Sequence, residues 1–219
     1  MGKRYDLHIH SIFSDGELIP AEIIQRCAVL NHAAIAITDH VDNTNIDFVL
    51  NSLAKTCGEL NEYTNVDIFV GVEITHAPIK MIAPLAKKAR NLGAKIVIVH
   101  GETLVEPVQK GTNLAAVGSP EVDILSHPGL ITREEAELAR KNNIYLELTS
   151  REGHCLTNGH VVKIATEVGN MLLLNTDAHA PEDLIDQKTA MDIAMGSGLS
   201  KGDSKKVTAV NPTRLLGTL

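Results

Sequence analysis

Short apolar runs recur along the chain, and almost every run leads into a side chain that can bind a metal ion. The runs have the aliphatic, β-branched composition of buried strands. They cover residues 5–10, 34–38, 67–75, 95–100, 122–127, 144–149 and 171–176. Segments of helical period lie between them, such as the stripe formed by Ile23, Ile24 and Cys27. Strands that alternate with helices predict right-handed βαβ units and a parallel sheet.

The placement of the polar residues favours a closed barrel. Candidate ligands follow six of the seven runs, whereas an open doubly wound sheet, which is the alternative, would crowd its ligands near one switch point. Active sites of α/β barrels lie at the C-terminal ends of the strands. We therefore expect an α/β fold, a distorted (β/α)7 TIM-like barrel with seven strands instead of eight. One domain is expected to cover residues 1–219.

Two local signals concern the helices. Thr132 is followed three residues later by Glu135, a capping-box pattern that predicts the start of a helix. Pro84 would disrupt a helix interior, so we expect it in the first turn of the third helix.

Composition narrows the choice of partners. The chain is 44% hydrophobic and 3% aromatic, without tryptophan, which suits a core of aliphatic strands. A formal net charge of −7 argues against binding to a polyanion, so no extended nucleic acid is expected. The three cysteines form no C-x-x-C pair. No apolar stretch approaches the roughly 18 residues of a membrane span, and we expect a cytoplasmic protein that binds no membrane.

The polar residues at the strand ends predict a metal site. His8 and His10 are two residues apart on a strand and so share one face. Asp177 and His179 repeat that spacing, and the first and last strands of a barrel are neighbours. So many buried polar groups would be costly without partners. Imidazoles and carboxylates without thiolates suit zinc, manganese or iron, and more than four ligands require more than one ion.

Several motifs together resemble the polymerase and histidinol phosphatase (PHP) superfamily. They are D-L-H-I-H-S-x-x-S-D-G at 6–16, I-T-D-H at 37–40, G-V-E at 71–73, V-H-G at 99–101, S-H-P-G at 126–129, N-T-D-A-H at 175–179 and N-P-x-R-L-L at 211–216. The resemblance extends over essentially the whole chain. It implies three divalent ions, the first held by His8, His10, Glu73 and Asp177, the second by Glu73, His100 and His127, and the third by Asp15, His40 and His179.

The resemblance also implies a reaction. A metal-dependent phosphoesterase would hydrolyse a small phosphomonoester through attack by a metal-bridging hydroxide, with Glu73 and Asp177 holding the reaction centre. Histidinol phosphate is the leading substrate by resemblance to histidinol phosphatases. The alternative is a nuclease or nucleotide phosphodiesterase. A third reading is a subunit without activity, like the barrel protein of ribonuclease P, although such relatives lose ligands that this chain keeps.

Three further residues complete the prediction. Arg151 follows the sixth run, where similar histidinol phosphatases carry an arginine, and would bind phosphate oxygens; the alternative is a solvated loop arginine. His154 is a candidate proton donor to the leaving oxygen. Asp39 is expected to be a structural acid behind the ligands instead of a ligand.

Overall fold

Eight parallel strands form a nearly closed barrel in the computed structural model, which describes residues 2–218. The strands are β1 (Arg4–Ile9), β2 (His32–Ile37), β3 (His40–Val41), β4 (Asp67–Ile74), β5 (Ile96–His100), β6 (Ile124–Ser126), β7 (Tyr145–Thr149) and β8 (Leu172–Asn175). Seven of them follow the order β1-β2-β4-β5-β6-β7-β8. The α/β barrel is therefore confirmed, and all seven predicted runs form strands.

The two-residue strand β3 was not predicted. Thr38 and Asp39 separate β2 from β3, because the backbone hydrogen bonds of the chain switch there from β1 to β4. The amide of Thr38 donates to the carbonyl of Ile9 at 2.8 Å, whereas the carbonyl of Asp39 accepts from the amide of Glu73 at 3.1 Å. β3 then pairs with β4, which places His40 opposite Glu73.

Backbone hydrogen bonds close the barrel between its first and last strands. The amide of Asp177 donates to the carbonyl of His8 at 2.9 Å, and the amide of His10 donates to the carbonyl of Ala178 at 2.9 Å. An open sheet would leave these edges apart. Closure of the barrel brings the pair His8 and His10 next to the pair Asp177 and His179, as the sequence pattern predicts.

Helices cover the outside of the barrel. They are α1 (Pro20–Val29), α2 (Ile46–Leu60), α3 (Ile79–Asn91), α4 (Thr112–Val117), α5 (Arg133–Lys141), α6 (Asn158–Val168), α7 (Gln187–Gly196), α8 (Lys201–Lys205) and α9 (Asn211–Leu216). The capping box of Thr132 and Glu135 is present at the start of α5. The expectation for Pro84 was wrong, because it lies inside α3, which begins at Ile79. Within residues 2–218, no helix is both long and apolar enough to cross a bilayer.

Two apolar clusters fill the structure. The larger one combines alternate strand residues, such as Val97 and Val99, with helix residues such as Leu53. The smaller one contains Ile96 and Ile98, on the opposite face of the same strand. Because the outer face packs against helices, the smaller cluster fills the barrel interior. His100 continues the inward-facing series of β5 and so reaches the end of that interior.

A buried ion pair lies beside the seam between β1 and β8. The guanidinium Nη2 of Arg4 is 3.3 Å from Oδ2 of Asp6, and both side chains are 0% exposed. Oδ1 of Asp6 also accepts a hydrogen bond of 3.0 Å from the amide of Thr176. Asp6 therefore fixes the backbone directly before Asp177.

The variant Asp6→Asn tests this arrangement. We expect a loss of about 3–5 kcal/mol in the free energy of unfolding, because Arg4 would remain buried without its counter-charge. Urea denaturation measures the loss. Glu22→Gln, which breaks the exposed pair between Glu22 and Arg26, serves as the control and should cost less than about 1 kcal/mol. Equal stability of the two variants would contradict a supporting role for the buried pair.

Candidate metal centre

All nine predicted ligands meet at the C-terminal end of the barrel. The donor atoms fall into three groups, each within 4.8 Å: His10, Asp15, His40 and His179; His8, His10 and Glu73; and Glu73, His100 and His127. Asp177 joins them, because its Oδ1 is 3.2 Å from Nε2 of His10 and its Oδ2 is 3.5 Å from Nε2 of His127. Residues up to 171 positions apart in the sequence thus share one cluster.

Glu73 occupies the middle of the cluster and is 0% exposed. Its Oε1 lies 3.4 Å from Nε2 of His8 and 3.5 Å from Nε2 of His127. Its Oε2 lies 3.6 Å from Nε2 of His10 and 2.8 Å from Nδ1 of His40. One carboxylate therefore contacts four imidazoles from three different parts of the barrel, as a bridging ligand would.

Hydrogen bonds at the outer nitrogens define the tautomers of three imidazoles. Nδ1 of His8 donates to Oε1 of Glu147 at 2.9 Å. Nδ1 of His100 donates to the carbonyl of Gly101 at 3.2 Å, and Nδ1 of His179 donates to the carbonyl of Asp177 at 2.9 Å. A carbonyl oxygen only accepts, so in the neutral ring the inner Nε2 carries a lone pair. Such an arrangement is common for metal-binding histidines.

The inner atoms fit divalent cations better than they fit one another. Lone pairs on imidazole nitrogens face carboxylate oxygens, and Nε2 of His8 is only 3.0 Å from Nε2 of His10. Oδ1 of Asp177 is buried and has no hydrogen-bond donor among the described residues. Two ligands about 2.1 Å from a shared ion lie roughly 3.0–3.4 Å apart for angles between 90° and 109°. The donor separations are of this size, so the clusters can hold metal ions.

Two carboxylates of the cluster, those of Glu73 and Asp15, have lowered pKa values, whereas burial raises the pKa of Asp177. Burial raises the pKa of Glu73, but the surrounding imidazoles, His8 first, carry positive charge when they are protonated, and this charge outweighs burial and brings the pKa well below its usual range. Burial also raises the pKa of Asp15, but the hydrogen bond from His179 outweighs it and lowers the pKa to about 2. An anionic cluster attracts cations.

Two ligand positions have unusual backbone conformations. His127 has φ 23° and Asp177 has φ 56°, a left-handed region that residues other than glycine rarely adopt. Such conformations cluster at functional sites, where the surrounding structure enforces them. Gly129, two residues after His127, has φ +60° and packs tightly against the neighbouring backbone. A Cβ atom at this position would lie 1.9 Å from the carbonyl oxygen of Glu102.

The sequence prediction missed Glu147, which lies on the strand expected to carry no ligand. Glu147 is 0% exposed. Besides holding His8, its carboxylate accepts from the amide of His127 at 3.2 Å and from Nδ2 of Asn175 at 2.8 Å. The sequence did contain a signal for Glu147, which is the only acidic residue in the apolar run Y-L-E-L-T. Because an unpaired buried carboxylate is costly, such an acid is expected to have a polar partner.

Glu106 was also missed. It lies in the loop between β5 and α4, with Oε2 at 3.0 Å from Nε2 of His100 and Oε1 at 3.3 Å from Nε2 of His154. The hydrogen bond from His100 lowers the pKa of Glu106 to about 2. Its position depends on the loop path, which no periodic pattern reveals.

His154 lies next to the cluster, whereas Arg151 is bound elsewhere. The ring centroid of His154 is 4.2 Å from that of His127, and burial lowers the pKa of His154 to about 4, which leaves it neutral at pH 7. Nη1 of Arg151 is 3.1 Å from Oδ2 of Asp183, and the same oxygen accepts from the amide of His179 at 2.9 Å. Their roles as proton donor and phosphate ligand stay predictions.

Asp39 lies behind the ligands, as expected. Its carboxylate accepts hydrogen bonds from the amide and hydroxyl of Ser11, at 2.8 Å and 2.7 Å, and from the hydroxyl of Ser14 at 2.6 Å. These bonds shape the loop that carries Asp15. A cavity of about 370 Å³ opens beside this loop and is lined by residues that include Asp15, His40, Thr75, His76 and Glu106.

Comparisons with known proteins agree with the motifs. The PHP domain model matches residues 6–186. An uncharacterized protein of Methanocaldococcus jannaschii is 50% identical over 97% of this chain and 98% of its own length. The DNA polymerase/3'-5' exonuclease PolX of Bacillus subtilis is 33% identical over 86% of this chain, which corresponds to 36% of PolX. Ribonuclease P protein component 3 of Methanosarcina barkeri is 24% identical over 98% of this chain and 89% of its own length.

The fold is also that of a protein in the solved archaeal ribonuclease P with mature tRNA. The TM-score is 0.75 at 19% sequence identity, and the match covers 98% of this chain and 90% of the other. At this identity the likeness shows the fold alone.

These relatives correct the partner expectation of a small phosphorylated substrate without extended nucleic acid. That expectation was wrong, because two relatives of similar length are ribonuclease P components, which point to nucleic acid and protein partners. The expectation rested on the net charge of −7. Net charge is a poor guide here, since the local field at a site depends on its own charges and on the ions they bind.

The variant Glu147→Gln tests the support of His8. We expect the affinity for Mn²⁺ to fall by about 10- to 100-fold, because a neutral amide holds the imidazole less firmly than a carboxylate. Isothermal titration of the metal-free protein measures the affinity. Glu137→Gln, at an exposed position on α5, is the control and should bind like the wild type. An unchanged affinity in Glu147→Gln would show that the carboxylate does not tune the site.

Proposed function

The chain belongs to the PHP domain family, and from this premise we propose that it is a metal-dependent hydrolase that cleaves phosphate esters in nucleic acid. The observation that supports this proposal is the convergence of nine imidazole and carboxylate side chains at the barrel end, with Glu73 in the middle. A donor set of this size exceeds the needs of one structural ion.

The proposed ligand sets follow the sequence assignment. They are His8, His10, Glu73 and Asp177 for one ion, Glu73, His100 and His127 for another, and Asp15, His40 and His179 for a third. His10 also lies within reach of the third set. Zinc, manganese and iron suit these donors. The count of three and the choice of metal belong to the proposal.

Divalent ions, when bound, polarise phosphoryl oxygens and lower the pKa of water. The residues of the chain hold the ligand side chains in the required orientation. Glu73 joins two ligand sets through one carboxylate, and Glu147 holds the ring of His8 with its Nε2 lone pair directed inward. The hydroxyl of Ser126 donates to Oε1 of Glu73 at 2.6 Å and holds that carboxylate in turn. A preorganised polar site of this kind needs little rearrangement during reaction.

Nucleic acid is the favoured substrate because of the named activities of relatives. PolX is an exonuclease by name and shares 33% identity, and a segment of 75 residues is 36% identical to a 5'-3' exoribonuclease of Haemophilus influenzae. We propose that the phosphodiester near a chain end enters the cavity beside Asp15 and Glu106. Histidinol phosphate, the leading substrate by sequence resemblance, has no support from these relatives. The cytoplasmic location and the single domain over residues 1–219 stay predictions.

A second candidate is a protein subunit of a ribonucleoprotein without turnover. The match to ribonuclease P component 3 over nearly the full chain favours it. The complete set of nine donors favours catalysis instead, since a scaffold has no need to keep buried imidazoles facing carboxylates. Metal-dependent turnover separates the two candidates.

Hydrolysis of end-labelled RNA and DNA oligonucleotides in the presence of Mn²⁺ tests the proposal, with histidinol phosphate and a generic monoester as comparison substrates. We expect cleavage of oligonucleotides that EDTA abolishes. Glu73→Gln should lower kcat/KM by about 100-fold or more and reduce metal content, because it removes the charge shared by two ligand sets. Glu62→Gln, exposed on the surface, should behave like the wild type. Cleavage that survives both EDTA and Glu73→Gln would sink the proposal.

Arg151→Ala tests the phosphate-binding role of that arginine. If Arg151 leaves Asp183 to bind substrate, the variant should raise KM or lower kcat by about tenfold while metal content stays intact. The control is Arg26→Ala, which removes an exposed arginine from the last turn of α1. Unchanged kinetics in Arg151→Ala would show that the arginine only anchors the loop of His179.

A further inference from the structure

Glu106 reaches the metal centre although it lies outside the nine-residue pattern. Its carboxylate is placed among three imidazoles, with the nearest oxygen 3.0 Å from Nε2 of His100, 3.3 Å from Nε2 of His154 and 3.6 Å from Nε2 of His76. Its side chain is 37% exposed, whereas that of Glu73 is 0% exposed. Glu106 therefore approaches the cluster from its open side.

The loop that carries Glu106 is held at both ends. The carboxylate of Glu102 accepts hydrogen bonds from the amides of Gly111 and Asn113, at 2.8 Å and 3.0 Å. Between these anchors, Pro107 follows Glu106 and restricts its backbone to extended conformations. The position of the Glu106 carboxylate is thus a property of an organised loop.

The contact between His100 and Glu106 calls for a positive charge, which is either a proton on Nε2 of His100 or a metal ion in its place. Because Nδ1 of His100 donates to the carbonyl of Gly101, the Nε2 atom of the neutral ring presents a lone pair to Oε2 of Glu106. The same Nε2 faces the group of Glu73 and His127. A separation of 3.0 Å is close to the distance between two ligands that bind one ion at roughly 90°.

We propose that Glu106 is a further ligand of the ion held by Glu73, His100 and His127. This inference rests on the proposed function in so far as that function requires bound ions. Three protein donors leave a position open, and Glu106 fills it with a second carboxylate. As the exposed member of the set, it is the ligand that an incoming phosphate oxygen can displace.

Calorimetric titration of the metal-free full-length protein with Mn²⁺ tests this inference without reference to activity. Glu106→Gln keeps the size of the side chain and its ability to accept a hydrogen bond, but removes the charge. We expect one class of Mn²⁺ site to weaken by about tenfold or more, while the remaining sites keep their affinity. The matched control is Glu152→Gln, which makes the same change at an exposed position of the neighbouring loop.

A second variant separates ligation from loop structure. Glu106→Asp keeps the charge on a shorter side chain, and we expect its affinity for Mn²⁺ to lie between those of the wild type and Glu106→Gln. Equal Mn²⁺ binding by the wild type and Glu106→Gln would overturn the inference and leave the proposed function intact. Tighter binding in Glu106→Gln would overturn it too, since Glu106 would then compete with the ion. If the wild type took up no Mn²⁺, the proposed function would fail together with the inference.

Discussion

Lone pairs that face one another at the end of the barrel are the constraint on which the rest of this structure depends. The carboxylate of Glu73 lies between imidazoles from several strands, and their inner nitrogens point toward it instead of toward donors. In a neutral protein interior this arrangement is repulsive, and either protons or cations must neutralise it. Outer hydrogen bonds such as that from His8 to Glu147 direct the inner nitrogens toward the centre, which is the orientation that binding of a metal cation requires.

The fold supports that arrangement at the seam of the barrel. Hydrogen bonds between β1 and the residues after β8 bring His8 and Asp177 side by side. The buried pair of Arg4 and Asp6 then holds the amide of Thr176. Because Asp177 follows in a left-handed conformation, its placement depends on this support. The stability of the seam and the geometry of the metal centre are therefore coupled.

Much of this could be predicted from the sequence, since parallel strands bring their C-terminal ends together and each end carried a ligand residue. The nine donors follow from that rule and from the family motifs. Other features depend on tertiary structure. Glu147 belongs to an apolar strand, and only the barrel shows that it faces His8. Glu106 depends on a loop path, and Arg151 is bound by Asp183, 32 residues away. Net charge led to a wrong expectation about partners because it averages over the surface.

Anomalous X-ray scattering from crystals grown with Mn²⁺ tests the central claim most directly, because it locates the ions independently of any reaction. We expect anomalous peaks at the barrel end, about 2.0–2.2 Å from carboxylate oxygens of Glu73 and from Nε2 atoms of His8, His100 and His127. Strong peaks elsewhere with none beside Glu73, or no peaks at saturating Mn²⁺, would contradict it.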